Sequence, residues 1–124
     1  MNKDIKILLV EDEIIIAMSL EMELSQGGYR VCKIVSSGED AVASVKQENP
    51  NVILMDIGLS GKMNGIEAAL QIRGSHDIPI IFMTGYQESV ILEQTAAMAS
   101  TALLHKPLNI REVSAAIDSF NVTN

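Results

Sequence analysis

Five times along this chain a short apolar run gives way to a stretch with the composition of an amphipathic helix. The runs are Ile5 to Val10, Val31 to Val35, Val52 to Met55, Ile78 to Met83 and Ala102 to Leu104. The stretches that follow them are Glu13 to Gln26, Glu39 to Glu48, Gly65 to Arg73, Ser89 to Met98 and Ile110 to Phe120. Strands separated in this way must lie parallel, because a parallel neighbour is reached only through a crossover. Runs such as VILM and IPIIF are apolar throughout, as strands covered on both faces are. A closed eightfold barrel needs roughly 250 residues, and this chain has 124. The expected class is α/β, an open doubly wound sheet of five parallel strands with helices on both faces.

Local signals agree with that division. Gly27-Gly28 suits the C-terminal end of the first helix. Asn49-Pro50 ends the second, since the residue before a proline is pushed out of the α region. No repeat, low-complexity segment or linker interrupts the pattern. Residues 1–124 read as one domain with a folded core of about 5–120, a frayed end from Asn121 and no output domain.

Composition removes several function classes. With 48% apolar and 20% charged residues, the chain is too hydrophobic to be disordered. Sixteen acidic residues against nine basic ones give a net charge of -7, which argues against direct binding of nucleic acid or an anionic membrane. The single cysteine, Cys32, excludes an internal disulfide and a thiolate zinc site, and as a strand residue it reads as small core filling. The first apolar run is too short for a signal or a membrane span, so the expected location is the cytoplasm.

In doubly wound sheets, ligands bind beyond the carboxyl ends of the strands. Glu11 and Asp12 follow the first strand, Asp56 the third, Thr84 the fourth and Lys106 the fifth; the second offers only Ser36 and Ser37. Singly these residues have ordinary explanations: Glu11-Asp12 suits the start of a helix, and Asp56 a solvated loop. Jointly they place three carboxylates, a hydroxyl and an ammonium at one rim. Carboxylates so close repel unless a cation intervenes, and Mg²⁺ suits a site with few carboxylates plus waters and phosphate oxygens. Lysine and threonine then supply donors for a phosphoryl group, and Asp56, ending the central strand, is the expected acceptor.

These residues sit in ILLVEDE at 7–13, VILMDIGL at 52–59, MNGIEAA at 63–69, IPIIFMTGY at 78–86 and LHKPL at 104–108. In this order and spacing the chain resembles the receiver domain of two-component response regulators over essentially its whole length. The resemblance implies a flavodoxin-like sheet of strand order 2-1-3-4-5. It implies that a histidine kinase or phosphotransfer domain phosphorylates Asp56, and that the domain assists this transfer without being a turnover enzyme. Mg²⁺ (or Mn²⁺) would be bound by Asp12, Asp56 and the backbone carbonyl of Gly58, with Glu11 acting through water. Lys106 would hold phosphoryl oxygens, Thr84 would reorient its hydroxyl, and the Lys106-Pro107 bond would be cis. A downstream protein target and a homodimer complete the expected partners.

The chain departs from the family pattern in three places. Leu103 stands where an aromatic switch residue is usual. The loop from Gly58 to Asn64 is one residue longer than the commonest form and lacks its proline. Gly58 and Tyr86 occupy positions that influence phosphoryl lifetime in relatives. Leu103 sustains a rival reading, a receiver-like interaction module that works without phosphorylation. A flavin carrier is disfavoured because Glu11-Asp12 would repel its phosphate, and an aspartyl-phosphate phosphatase because Gly58 replaces its second acid.

Two further expectations concern surfaces. On the first helix, Ile16, Leu20 and Leu24 can face the sheet, leaving Ile15, Met18 and Met22 as a second stripe. That stripe either docks the kinase or phosphotransfer helix or packs on a neighbouring helix. His105, in a short strand, reads as a buried structural residue, and His76 as a solvated loop residue.

Overall fold

The computed structural model describes residues 4–85 and 89–120. In chain order the elements are β1 (Lys6–Val10), α1 (Ile14–Gln26), β2 (Arg30–Val35), α2 (Gly38–Glu48) and β3 (Val52–Asp56). They continue with α3 (Gly65–Arg73), β4 (Ile80–Thr84), α4 (Ser89–Ala96), β5 (Thr101–His105) and α5 (Ile110–Ser119). The strands form one parallel sheet of order β2-β1-β3-β4-β5. Successive residues of a strand point to opposite faces, and the core divides accordingly. Leu8, Val10, Ile53, Met55 and Phe82 pack with residues of α2 and α3; Ile7, Leu9, Leu54, Ile81 and Met83 pack with α1 and α5. Every residue of β3 and β4 is buried, each large apolar side chain contributing about 2 kcal/mol of transfer free energy.

Element ends follow from local hydrogen bonding. Ser37 caps α2 by accepting from the Asp40 N–H, and Asn64 opens α3 with a reciprocal capping box to Glu67. Asn49 leaves α2 in the left-handed region, at φ 51°. β4 starts at Ile80 rather than Ile78: Pro79 has no N–H to give a ladder, and the Ile78 carbonyl accepts from Arg73. α4 stops at Ala96, short of the expected Met98. There the Met98 N–H turns back to the Thr95 carbonyl, and the Thr101 hydroxyl contacts the carbonyls of Thr95 and Met98.

Several side chains lie elsewhere than expected. On α1 the buried residues are Ala17, Leu20 and Leu24, and Ile16 is only half-buried. Ile15, Met18 and Met22 are 79%, 58% and 62% exposed, so they do not pack on a neighbouring helix. His105 is exposed rather than buried, because β5 is the edge of the sheet and its end is less covered than that of a central strand. His76 is half-buried beside Ser75, at 3.0 Å between Ser75 Oγ and Nδ1. Cys32 is half-buried, with its sulfur 3.5 Å from the Ile7 carbonyl, and burial pushes its thiol pKa up, away from reactivity.

Arg73, at the end of α3, anchors the opposite edge of the molecule. Its guanidinium donates to the carbonyls of His76, Ile78, Ala99 and Ser100 at 2.8 to 3.1 Å. The fixed fork of donors thus ties the turns preceding β4 and β5 together. No helix among the described residues is long and apolar enough to cross a membrane.

Candidate functional site

The strand order places β1 beside β3, with the chain leaving their carboxyl ends towards opposite sides of the sheet. A cleft therefore opens at those ends. It has a volume of about 280 Å³ and is lined by Asp12, Glu13, Asp56, Gly58, Gly85 and Lys106. Asp56, in this lining, and Glu11, bonded to Lys106, are 4% and 2% exposed, whereas Asp12 is half-exposed. One oxygen from each of Glu11, Asp12 and Asp56 lies within 4.8 Å of the others.

Each carboxylate is held by named donors. Lys106 Nζ lies 2.9 Å from Glu11 Oε1 and 3.3 Å from Asp56 Oδ1, bridging the two buried acids. The Glu13 N–H donates to the other Glu11 oxygen at 3.1 Å, so Glu11 serves the start of α1 as well as the cleft. The Gly58 N–H donates to Asp56 Oδ1 at 3.1 Å. Asp12 Oδ2 accepts from both the N–H of Ser60, at 3.1 Å, and its hydroxyl, at 2.8 Å. Ser60 belongs to the longer loop between β3 and α3, and no spacing rule marks it in the sequence.

Titration behaviour follows from these contacts. Burial raises the Glu11 pKa; the Lys106 hydrogen bond and the Glu13 N–H offset part of that, and the Asp56 charge adds to it. The Ser60 side chain holds Asp12 below the ordinary carboxylate value, against a smaller opposing effect of burial. For Lys106, burial opposes the charged form, but the Glu11 hydrogen bond and the charges of Asp56 and Glu11 outweigh it and raise the pKa. The donor set is oxygen-rich, and the hydrogen bonds fall on Oδ2 of Asp12 and Oδ1 of Asp56. These residues suit a hard divalent cation better than a soft metal.

The remaining expected residues are close by. Thr84 is buried at the end of β4, pairs with His105 on β5, and its carbonyl accepts the Lys106 N–H at 2.8 Å. Leu103 is half-buried and packs against the core that contains Phe82, its partner across the ladder. The Lys106-Pro107 bond is cis. Tyr86 lies outside the described residues. Gly65, within the MNGIEAA motif, was not singled out from sequence. Its N–H donates to the Ile57 carbonyl, and a Cβ there would collide with the carbonyl oxygen of Asp56.

Residues 7–118 match the response regulator receiver domain. The chain belongs to that family. Among curated relatives, the transcriptional regulatory protein PdtaR of Mycobacterium tuberculosis is 28% identical over 113 residues, which cover 91% of this chain and 55% of the relative. The receiver chain thus spans about half the length of the curated relatives it matches. Among solved structures, the signal receiver domain of a modulated diguanylate cyclase from Desulfovibrio desulfuricans G20 is similar with a TM-score of 0.82 and 29% identity, covering 94% of this chain and 95% of that one. The N-terminal domain of a response regulator/sensory box/GGDEF protein from Carboxydothermus hydrogenoformans is 30% identical with a TM-score of 0.81, covering 93% and 92%. The two-component receiver fold and the acidic pocket at its rim are therefore common ground with this family.

Proposed function

We propose that this receiver accepts a phosphoryl group on Asp56 from the phosphohistidine of a cytoplasmic histidine kinase or phosphotransfer domain. The observation that carries the reading is the cluster itself: three carboxylates with ligand oxygens within 4.8 Å, and one lysine bridging two of them. One ammonium cannot neutralise three carboxylates, so the cleft keeps a surplus of negative charge that a cation would offset. In the transfer, an oxygen of Asp56 bonds to phosphorus as the bond from phosphorus to the donor nitrogen breaks, and the donor leaves with the electron pair. Lys106 neutralises charge on the phosphoryl oxygens, and the Gly58 N–H holds Asp56 in place for attack. Asp12, Asp56 and the Gly58 carbonyl would hold Mg²⁺ or Mn²⁺, with Glu11 acting through water. When bound, the cation neutralises charge shared between the phosphoryl group and the acids. Thr84, buried at the end of β4, would turn its hydroxyl towards the new group. With Leu103 in the place of the usual aromatic, that turn would propagate through smaller shifts of β5. The domain assists its own phosphorylation and hydrolysis and signals by its altered surface.

Incubation with Mg²⁺ and a small acyl phosphate tests this reading by intact mass. Wild type should gain one phosphoryl group, and Asp56→Asn should gain none. No gain in wild type, or an equal gain in Asp56→Asn, would favour the phosphorylation-independent interaction module.

The exposed stripe on α1 supports a docking role for the donor. Ile15 lines a groove of about 460 Å³ together with Leu20, Met83 and Pro107, and the groove reaches Lys106; Met18 and Met22 stand exposed on the same helix, outside that lining. Methionine adapts its shape to a partner helix at little cost. Met18→Glu with Met22→Glu should lower kinase-dependent phosphorylation about tenfold or more, with phosphorylation by the small acyl phosphate unchanged. Equal rates with the kinase would remove α1 from the docking surface.

A further inference from the structure

The three acids are anchored differently. Glu11 and Asp56 are buried and share the Lys106 ammonium. Asp12 is half-exposed, on the turn between β1 and α1, where its side chain would otherwise sample several rotamers. Ser60, 48 residues further along the chain, supplies two donors to a single oxygen of Asp12. A carboxylate held through one oxygen keeps the lone pairs of the other for a cation, and its side-chain entropy is lost before binding rather than during it. Outer contacts of this kind are worth about 10–100-fold in metal affinity elsewhere.

We propose that Ser60 is a positioning residue for the divalent cation, its N–H and hydroxyl together locking Asp12 in the orientation that presents its second oxygen to the cleft. The inference rests on the reading of the acidic cleft as a cation site. It gives the longer loop between β3 and α3 a task, because that loop carries Ser60 to Asp12. Ser60 is exposed, so its replacement leaves the apolar core untouched.

The test compares wild type, Ser60→Ala and Ser60→Thr by Mn²⁺ titration of the unphosphorylated protein, followed by electron paramagnetic resonance. It is paired with the Mg²⁺ dependence of phosphorylation by a small acyl phosphate. Ser60→Ala should weaken Mn²⁺ binding and raise half-saturating Mg²⁺ about tenfold, with the rate at saturating Mg²⁺ unchanged. Ser60→Thr, which keeps the hydroxyl, should restore both. In an Asp12→Asn background, Ser60→Ala should have no further effect. If wild type binds no Mn²⁺, the cation site and the Ser60 inference fall together. If wild type binds and Ser60→Ala binds equally well, the Ser60 inference alone is overturned. It is overturned too if only the saturated rate falls, since that would mark a general disturbance of the cleft.

Discussion

Lys106→Met should slow phosphorylation of Asp56 by about a hundredfold or more, the usual consequence of removing one preorganised charge from a phosphoryl-transfer site. It should also destabilise the fold in a pH-dependent way. In the wild-type protein the lysine bridges Glu11 and Asp56, whose side chains are 0% and 6% exposed. Its loss leaves buried charge without its cation. The cost near neutral pH should be about 3 kcal/mol, the low end for a broken buried pair, because 23% of the Lys106 side chain is already exposed. Glu11 has a raised pKa, so its ionisation favours the unfolded state. Its contribution to stability is fully present below the unfolded value of about 4.3 and is lost as pH rises through the higher folded value. Without Lys106 the offsetting hydrogen bond disappears and the folded value climbs further. The contribution of Lys106 itself runs to the alkaline side: its raised pKa keeps it in force below about 10.4, and it fades as pH passes the folded value. Urea unfolding should therefore show variant and wild type closest near pH 4 and furthest apart at pH 7 to 9. A pH-independent gap would mean that packing of the lysine stem, rather than its charge, is what the substitution removes.

Gly65→Ala is the second large effect, and its origin is steric. The first residue of α3 sits directly against the end of β3, where a Cβ would meet the carbonyl oxygen of Asp56 and the backbone of Ile57. The obstructing atoms are backbone, so no side-chain rotation relieves the clash. Overpacking of this kind costs about 1–3 kcal/mol, and the strain falls on the residue proposed to carry the phosphoryl group. Phosphorylation by a small acyl phosphate should drop about a hundredfold, since even small misplacement of a reacting group is costly. Gly61→Ala is the control. Gly61 lies at φ +105° with open space around it, so a side chain there strains only its own backbone. It should lower stability by about 1–2 kcal/mol with phosphorylation almost intact. Equal loss of phosphorylation in the two variants would show that loop conformation, not contact with Asp56, sets the position of the acceptor.

The sequence carried most of the architecture, for an identifiable reason. Central strands buried on both faces must be apolar at every position, so VILM and IPIIF are legible as runs even without a partner in view. The rim acids were legible for the same reason. Glu11 and Asp56 are the first polar groups after such runs and Asp12 the second, and the parallel topology collects those ends on one side of the sheet. Legibility weakens wherever one face of an element is solvated. On α1 the apolar residues run nearly all round the helix, so their order could not say that Ala17 is buried while Ile15 and Met18 stand exposed. His105 reads as buried because it ends a short apolar strand just before Lys106, yet the last residue of an edge strand has cover on fewer sides. The end of α4 depended on Thr101, whose hydroxyl takes carbonyls that a longer helix would have used.

What the sequence determined by itself is thus the alternation of elements, the parallel sheet and the identity of the acids at its rim, all of which follow from one-dimensional periodicity. What only the tertiary structure decided is which atoms meet there. Lys106 lies 95 residues from Glu11, and Ser60 lies 48 from Asp12. Hydrogen bonds act over about 3 Å, so contacts between such distant residues exist only once the sheet has set the turns in register. The pairing of Glu11 and Asp56 through one ammonium, the double donation of Ser60 to Asp12 and the approach of Gly65 to the Asp56 carbonyl are products of that register.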